Sequence, residues 1–93
     1  MPRTSKSRPN PEQAFAKVLR AARTERGISQ EKLGFESGYH RTYIGMLERG
    51  LQNPTLRVIL SLSTALDLPA GDLIARVEAV VGKGWKRDPA DER

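Results

Sequence analysis

Residues 30–49 read Gln-Glu-Lys-Leu-Gly-Phe-Glu-Ser-Gly-Tyr-His-Arg-Thr-Tyr-Ile-Gly-Met-Leu-Glu-Arg, and their spacing decides the fold. The stretch divides into two short helices, about 30–36 and 40–48, joined by a glycine-containing turn. Leu33 is the inward apolar group of the first helix. Gly34, one position on, is the small residue needed where two helices cross. Gly38 supplies a turn residue able to take positive φ. Ile44 and Leu47, one turn apart, are the inward groups of the second helix. One glycine at a turn means little; five positions in register specify a helix-turn-helix.

Working outward, every neighbouring segment also has helical period. Asn10-Pro11 gives an N-cap and a proline at the first helical position, with Gln13 at the capping-box position. Phe15, Val18, Leu19 and Ala22 then share one face, and the helix stops near Arg26, before Gly27. Asn53-Pro54-Thr55 starts a fourth helix, with Leu56, Ile59, Leu62, Ser63 and Leu66 expected inward. A fifth runs from Pro69 to Val81. No strand-like alternation or internal repeat interrupts them. The expectation is one all-α domain of five helices over residues 10–82, preceded by a flexible basic arm (1–9) and followed by a disordered charged tail (83–93) that carries Trp85. A core this small supplies only about 3–5 kcal/mol. The fifth helix is richer in apolar residues than such a core needs. Leu73, Val77, Val80 and Val81 are therefore expected to meet a second subunit.

The 93 residues hold 16 Lys plus Arg and 11 Asp plus Glu, a net charge of +5. Residues 1–26 carry seven of the basic and two of the acidic groups, so the whole excess lies at the N-terminal end. Gathered basic charge points to an anionic polymer or surface. There is no cysteine and one histidine, which removes disulfides, thiolate metal sites, cysteine nucleophiles and multi-histidine cages. No metal and no cofactor are expected. No apolar run approaches the ~18 residues of a membrane span. The basic start is not followed by a signal-peptide core, so the expected location is cytoplasmic, with no membrane partner. Gly82-Lys83-Gly84 lacks the strand and Ser/Thr of a phosphate loop. No carboxylate pair or Ser/His/Asp set converges, so the chain does not read as an enzyme. With no separate effector domain, no small-molecule ligand is expected.

Leu19-Arg20, Arg23, Gly27-Ile28-Ser29-Gln30-Glu31-Lys32-Leu33, Arg41-Thr42-Tyr43-Ile44, Leu47-Glu48-Arg49-Gly50 and Asn53-Pro54-Thr55-Leu56 together mark a family. Over residues 14–75 the chain resembles the Xre regulators, the lambda repressor and Cro-like helix-turn-helix domains. Arg-Thr-Tyr-Ile followed by Leu-Glu-Arg-Gly adds a narrower resemblance to the small controller proteins of restriction–modification systems. The resemblance implies a compact five-helix lambda-repressor-like DNA-binding domain, with the helix-turn-helix as helices 2 and 3. It implies a transcriptional regulator, a repressor or autoregulator, that binds a palindromic operator in double-stranded DNA as a homodimer.

It also implies that residues 40–48 form the recognition helix, whose N-terminal end enters the major groove. Its outward positions supply the candidate base readers Arg41, Thr42, Tyr43 and Met46. A guanidinium at Arg41 can span guanine O6 and N7, worth about 1–3 kcal/mol of discrimination. Thr42 offers a hydroxyl and a methyl, Met46 an apolar contact, and Tyr43 reaches either a phosphate or the base edges. Gln30, His40, Arg49, Gln52 and Asn53 are candidate phosphate contacts, although His40 and Asn53 read equally as helix caps. Arg3, Lys6 and Arg8 add attraction from the arm. Arg23 and Glu48 match a family ion pair that joins helix one to helix three. Gly34 stands where alanine is more usual, and Gly45 where a polar residue is. A glycine inside a helix costs about 1 kcal/mol, and Gly45 either admits DNA closely or means fewer base contacts. The rival function is an antitoxin-like or adaptor module on the same fold, with helix five and Trp85 as its surface.

Overall fold

The computed structural model describes residues 9–88. Its five helices are α1 (Pro11–Arg26), α2 (Gln30–Ser37), α3 (Arg41–Glu48), α4 (Leu56–Ala65) and α5 (Ala70–Val81), with no strand among the described residues. Residues 1–8, with Arg3, Lys6 and Arg8, and residues 89–93 lie outside the described part.

Four of the five helix starts follow from side chains that satisfy otherwise orphaned N–H groups, while α5 starts after Pro69 with no side-chain cap. Asn10 Oδ1 accepts from the Gln13 N–H at 2.8 Å while the Asn10 N–H donates to Gln13 Oε1 at 3.2 Å, a reciprocal capping box. Ser29 Oγ accepts from the Lys32 N–H at 3.0 Å to start α2. Thr55 Oγ1 accepts from the Val58 N–H at 3.2 Å, so Thr55, not Asn53, caps α4. Between α2 and α3, Gly38 takes φ +89° and its N–H donates to the Gly34 carbonyl at 2.8 Å. An L side chain resists that backbone, which is why a glycine closes this turn.

The core is one cluster. Phe15, Val18, Leu19 and Ala22 of α1 meet Leu33 of α2, Ile44 and Leu47 of α3, Val58, Leu62 and Ala65 of α4, Leu66 beyond it, and Leu73 of α5. Leu19, Leu33, Ile44, Leu47, Leu62 and Leu73 are fully enclosed, each contributing about 1.5–3 kcal/mol of transfer free energy. α1 lies against both α3 and α5, and α2 against α3 and α4.

Two expectations are corrected here. Leu56 is 72% exposed, and Val58 is the inward residue of the first turn of α4. The Thr55 cap sets the phase of that helix so that Leu56 faces out. Leu73 and Val81 are buried within the chain itself, because α5 closes over α1. Neither is free to meet a second subunit. Val77 and Val80 are half-buried against the same core, and Ile74 is left exposed. After a turn at Lys83-Gly84, Trp85 closes one end of an apolar hollow of about 500 Å³ with Pro11, Ile74, Val77 and Val81. No single helix among the described residues is long and apolar enough to cross a membrane.

Candidate nucleic-acid interface

The orientation of α3 is fixed by one carboxylate. Glu48, at the end of α3, has a side chain only 1% exposed. It accepts from Arg23 Nε at 2.6 Å, from Arg23 Nη2 at 3.0 Å and from Gln30 Nε2 at 3.0 Å. Arg23 Nη1 also donates to the Ile28 carbonyl at 2.8 Å. A buried carboxylate is tolerable only when paired and hydrogen-bonded, and here Arg23 of α1 and Gln30 of α2 converge on it, with the α1–α2 loop bracing Arg23 through the Ile28 carbonyl. Hydrogen bonding to Glu48, opposed by burial, holds the Arg23 guanidinium above its ordinary value.

The other end of α3 points outward. His40 is its N-cap: Nδ1 accepts from the Thr42 N–H at 3.0 Å. In a neutral ring that acceptor leaves the proton on Nε2, where it can be donated outward. Arg41 and Thr42 are exposed. Arg41 Nη1 lies 3.5 Å from Glu31 Oε1, an open pair with both side chains mostly in solvent. Such a pair is worth about 0–1 kcal/mol and yields readily to a stronger partner.

Tyr43, expected among the outward groups, is half-buried. Its ring packs on the core and on Tyr39, with centroids 5.4 Å apart. It turns inward because it lies four residues before Leu47 and therefore on the same side of α3. Burial, with Tyr39 as the smaller cause, pushes the Tyr43 phenol above its ordinary value, so it stays an O–H donor at neutral pH. Met46 is half-buried and its sulfur is 3.9 Å from Gln52 Nε2. Gln52 is thereby turned toward α3. Arg49, the C-cap of α3, and Asn53 in the following loop are exposed. The Gln30 amide nitrogen is engaged by Glu48, which leaves the first-turn N–H groups of α2 as the anion-facing feature at that position.

These groups surround an open hollow of about 510 Å³, lined by Arg20, Gln30, Arg41, Thr42, Gly45 and Arg49, with Glu48 at its floor. Arg20 is an addition to the expected contacts: the Arg23–Glu48 pair already ties α1 to α3, and Arg20, three residues earlier on α1, is carried to the same side. A Cβ on Gly45 would meet only Gln30 Oε1, at 3.6 Å, so the glycine is not forced by crowding within the chain. Among the described residues no cluster of His, Cys, Asp or Glu could hold a metal ion. The arrangement offers cations, hydroxyls and free helix-start N–H groups on one side of α3, which is the chemistry of a polyanion with readable edges.

Comparison with known proteins agrees. A family model described as Helix-turn-helix matches residues 19–73. Control protein C.SmaI of Serratia marcescens is 40% identical over 62 residues, which span 67% of this chain and 74% of that protein. The crystal structure of the restriction-modification controller protein C.AhdI from Aeromonas hydrophila matches with a TM-score of 0.65 and 47% identity, over 67% of this chain and 94% of that one. C.Esp1396I, solved as a tetramer in complex with its natural 35 base-pair operator, matches with a TM-score of 0.72 over 78% of this chain and 96% of that one. Its 23% identity makes that a likeness of fold alone. The narrower of the two resemblances drawn from the sequence, to controller proteins, is the one these relatives carry.

Proposed function

The chain belongs to the helix-turn-helix family of Xre/Cro-like DNA-binding transcriptional regulators, and from that premise we propose that it is a controller-type regulator that binds a palindromic operator as a dimer and acts there as a repressor or autoregulator. The relatives are controller and regulator proteins, not enzymes. The observation that carries the reading is the placement of Arg41 and Thr42: exposed at the open end of α3, on a helix whose other end is locked by Glu48.

In this reading α3 enters the major groove tip first. Arg41 leaves Glu31 for a guanine edge, and Thr42 meets a neighbouring base. His40 Nε2, the N–H groups at the start of α2, Arg49 and Asn53 hold phosphates on either side. Tyr43 contributes at most its hydroxyl, and Met46 and Gln52 brace each other at the far end of α3 rather than read bases. The dimer contact uses the outer side of α5 around Ile74 and Val77, not Leu73 or Val81.

Site selection from a random oligonucleotide pool tests this. One short inverted repeat should emerge, bound far more tightly than random duplex. Arg41→Ala should lose about 1–3 kcal/mol of discrimination at one base pair per half-site while keeping weak binding. An unchanged preference would remove Arg41 from the reading role. Equal affinity for every sequence, with tight binding only to a protein partner, would favour the adaptor function instead.

A further inference from the structure

We propose that Lys17 and Arg20, on the outer face of α1, form with Arg49 a second phosphate-binding flank beside α3, gripping the DNA backbone outside the groove that α3 enters. The inference rests on the DNA-binding reading and adds an element that it did not include.

Lys17 and Arg20 are three residues apart on α1 and share one exposed face. That face, with Arg49, lines an open hollow of about 720 Å³ between α1 and the end of α3. Arg20 and Arg49 also line the hollow that holds Arg41 and Thr42. The two hollows thus share a rim, and the basic surface is continuous with the reading end of α3.

The charges on this flank are uncommitted. Among the described residues the ion pairs engage Arg23, Arg26, Lys32, Arg41 and Arg76, and none engages Lys17, Arg20 or Arg49. Two carboxylates border the hollow, and neither is paired with Lys17, Arg20 or Arg49. Glu25 faces Arg76 at 3.3 Å, and Glu48 is buried beneath Arg23 and Gln30. Three unpaired cations gathered on one side of a helix repel one another, and a row of phosphates relieves that repulsion. An acidic protein segment would also relieve it, but only DNA is continuous with the surface of α3.

The test is the salt dependence of binding by the full chain, measured on the selected duplex and on a random duplex of equal length between 50 and 200 mM salt. Each phosphate contact contributes about 0.9 to the logarithmic slope. The Lys17→Ala/Arg20→Ala double variant should therefore flatten the slope by about 1.8, shrinking the loss of affinity over that range about twelvefold. Affinity should fall alike on both duplexes, leaving their ratio unchanged. Alanine favours the helix at these exposed positions, and a thermal melt verifies that the fold is kept. Lys83→Ala/Lys86→Ala, which removes the same charge after α5, should leave the slope as it was. An unchanged slope in the α1 variant overturns the flank alone, as does an equal flattening in the Lys83/Lys86 control. Failure of the unaltered chain to bind any duplex overturns the flank together with the DNA-binding reading.

Discussion

At Gly34 a missing methyl group sets how closely the two helices of the motif approach. A Cβ there would lie 2.4 Å from the Tyr39 carbonyl oxygen and 3.2 Å from the Arg41 nitrogen. The Gly34 carbonyl meanwhile accepts from both the Gly38 and Tyr39 N–H groups at 2.8 Å, so the turn is wound around this one residue. Alanine has the better helix propensity by about 1 kcal/mol. Here the obstacle is backbone, which cannot swing aside as a side chain can, and overpacking of that kind costs about 1–3 kcal/mol. Gly34→Ala is expected to be destabilising on balance, with a lower midpoint in thermal or urea unfolding. A raised midpoint would mean the turn relaxes freely. The sequence shows that a small residue belongs at this crossing. It does not show that alanine is already too large, because that depends on where residues 39–41 run in space. Gly45 makes the contrast: the same residue type in the next helix has room for a methyl.

Between elements, the tie from α1 to α3 outweighs any single surface contact. Arg23→Met would leave the Glu48 carboxylate buried with only Gln30 to answer it. Breaking a buried pair from one side costs about 3–5 kcal/mol, comparable with what a core of this size supplies. The variant is expected to be largely unfolded at 37 °C by circular dichroism. Glu48→Gln keeps an acceptor for Arg23 and should be milder. If Arg23→Met melts like the unaltered chain, the pair does not hold the fold. The pair itself was legible from its spacing in the family pattern, as were the five helices and most of the core. What was not legible depended on packing between helices. Leu56 and Val58 both suit an inward phase for α4, and the Thr55 cap decides between them. The apolar residues of α5 looked surplus until α1 was seen to cover Leu73. Lys17 and Arg20 carry no signal in the sequence that separates them from other exposed basic residues, because their place beside Arg49 depends on how α1 packs against α3.

For the molecule as a whole, size bears on assembly. Its extents are 42 × 24 × 23 Å. Two copies touching across a short dimension have centres about 24 Å apart, so each α3 must lie outward of its centre to reach half-sites one helical turn, ~34 Å, apart. The exposed Ile74, beside Val77 and Trp85, is the apolar strip that α5 offers for such contact, while Phe35, Leu51, Leu56 and Leu60 are exposed elsewhere on the surface. Sedimentation equilibrium at micromolar concentration should show a dimer, and Ile74→Glu should shift it to monomer without lowering helix content. A monomer at all accessible concentrations would confine dimerisation to the DNA, and a dimer that persists in Ile74→Glu would place the interface elsewhere on the surface. The anchoring of α3 has a further consequence for how such a protein changes its target. Because Glu48 clamps the rod from behind while residues 41 and 42 project in front, the aim of the rod is insulated from the identity of its tip. On the proposed reading, exchanging those two side chains alone is expected to write a new operator preference, with the scaffold carried over unaltered.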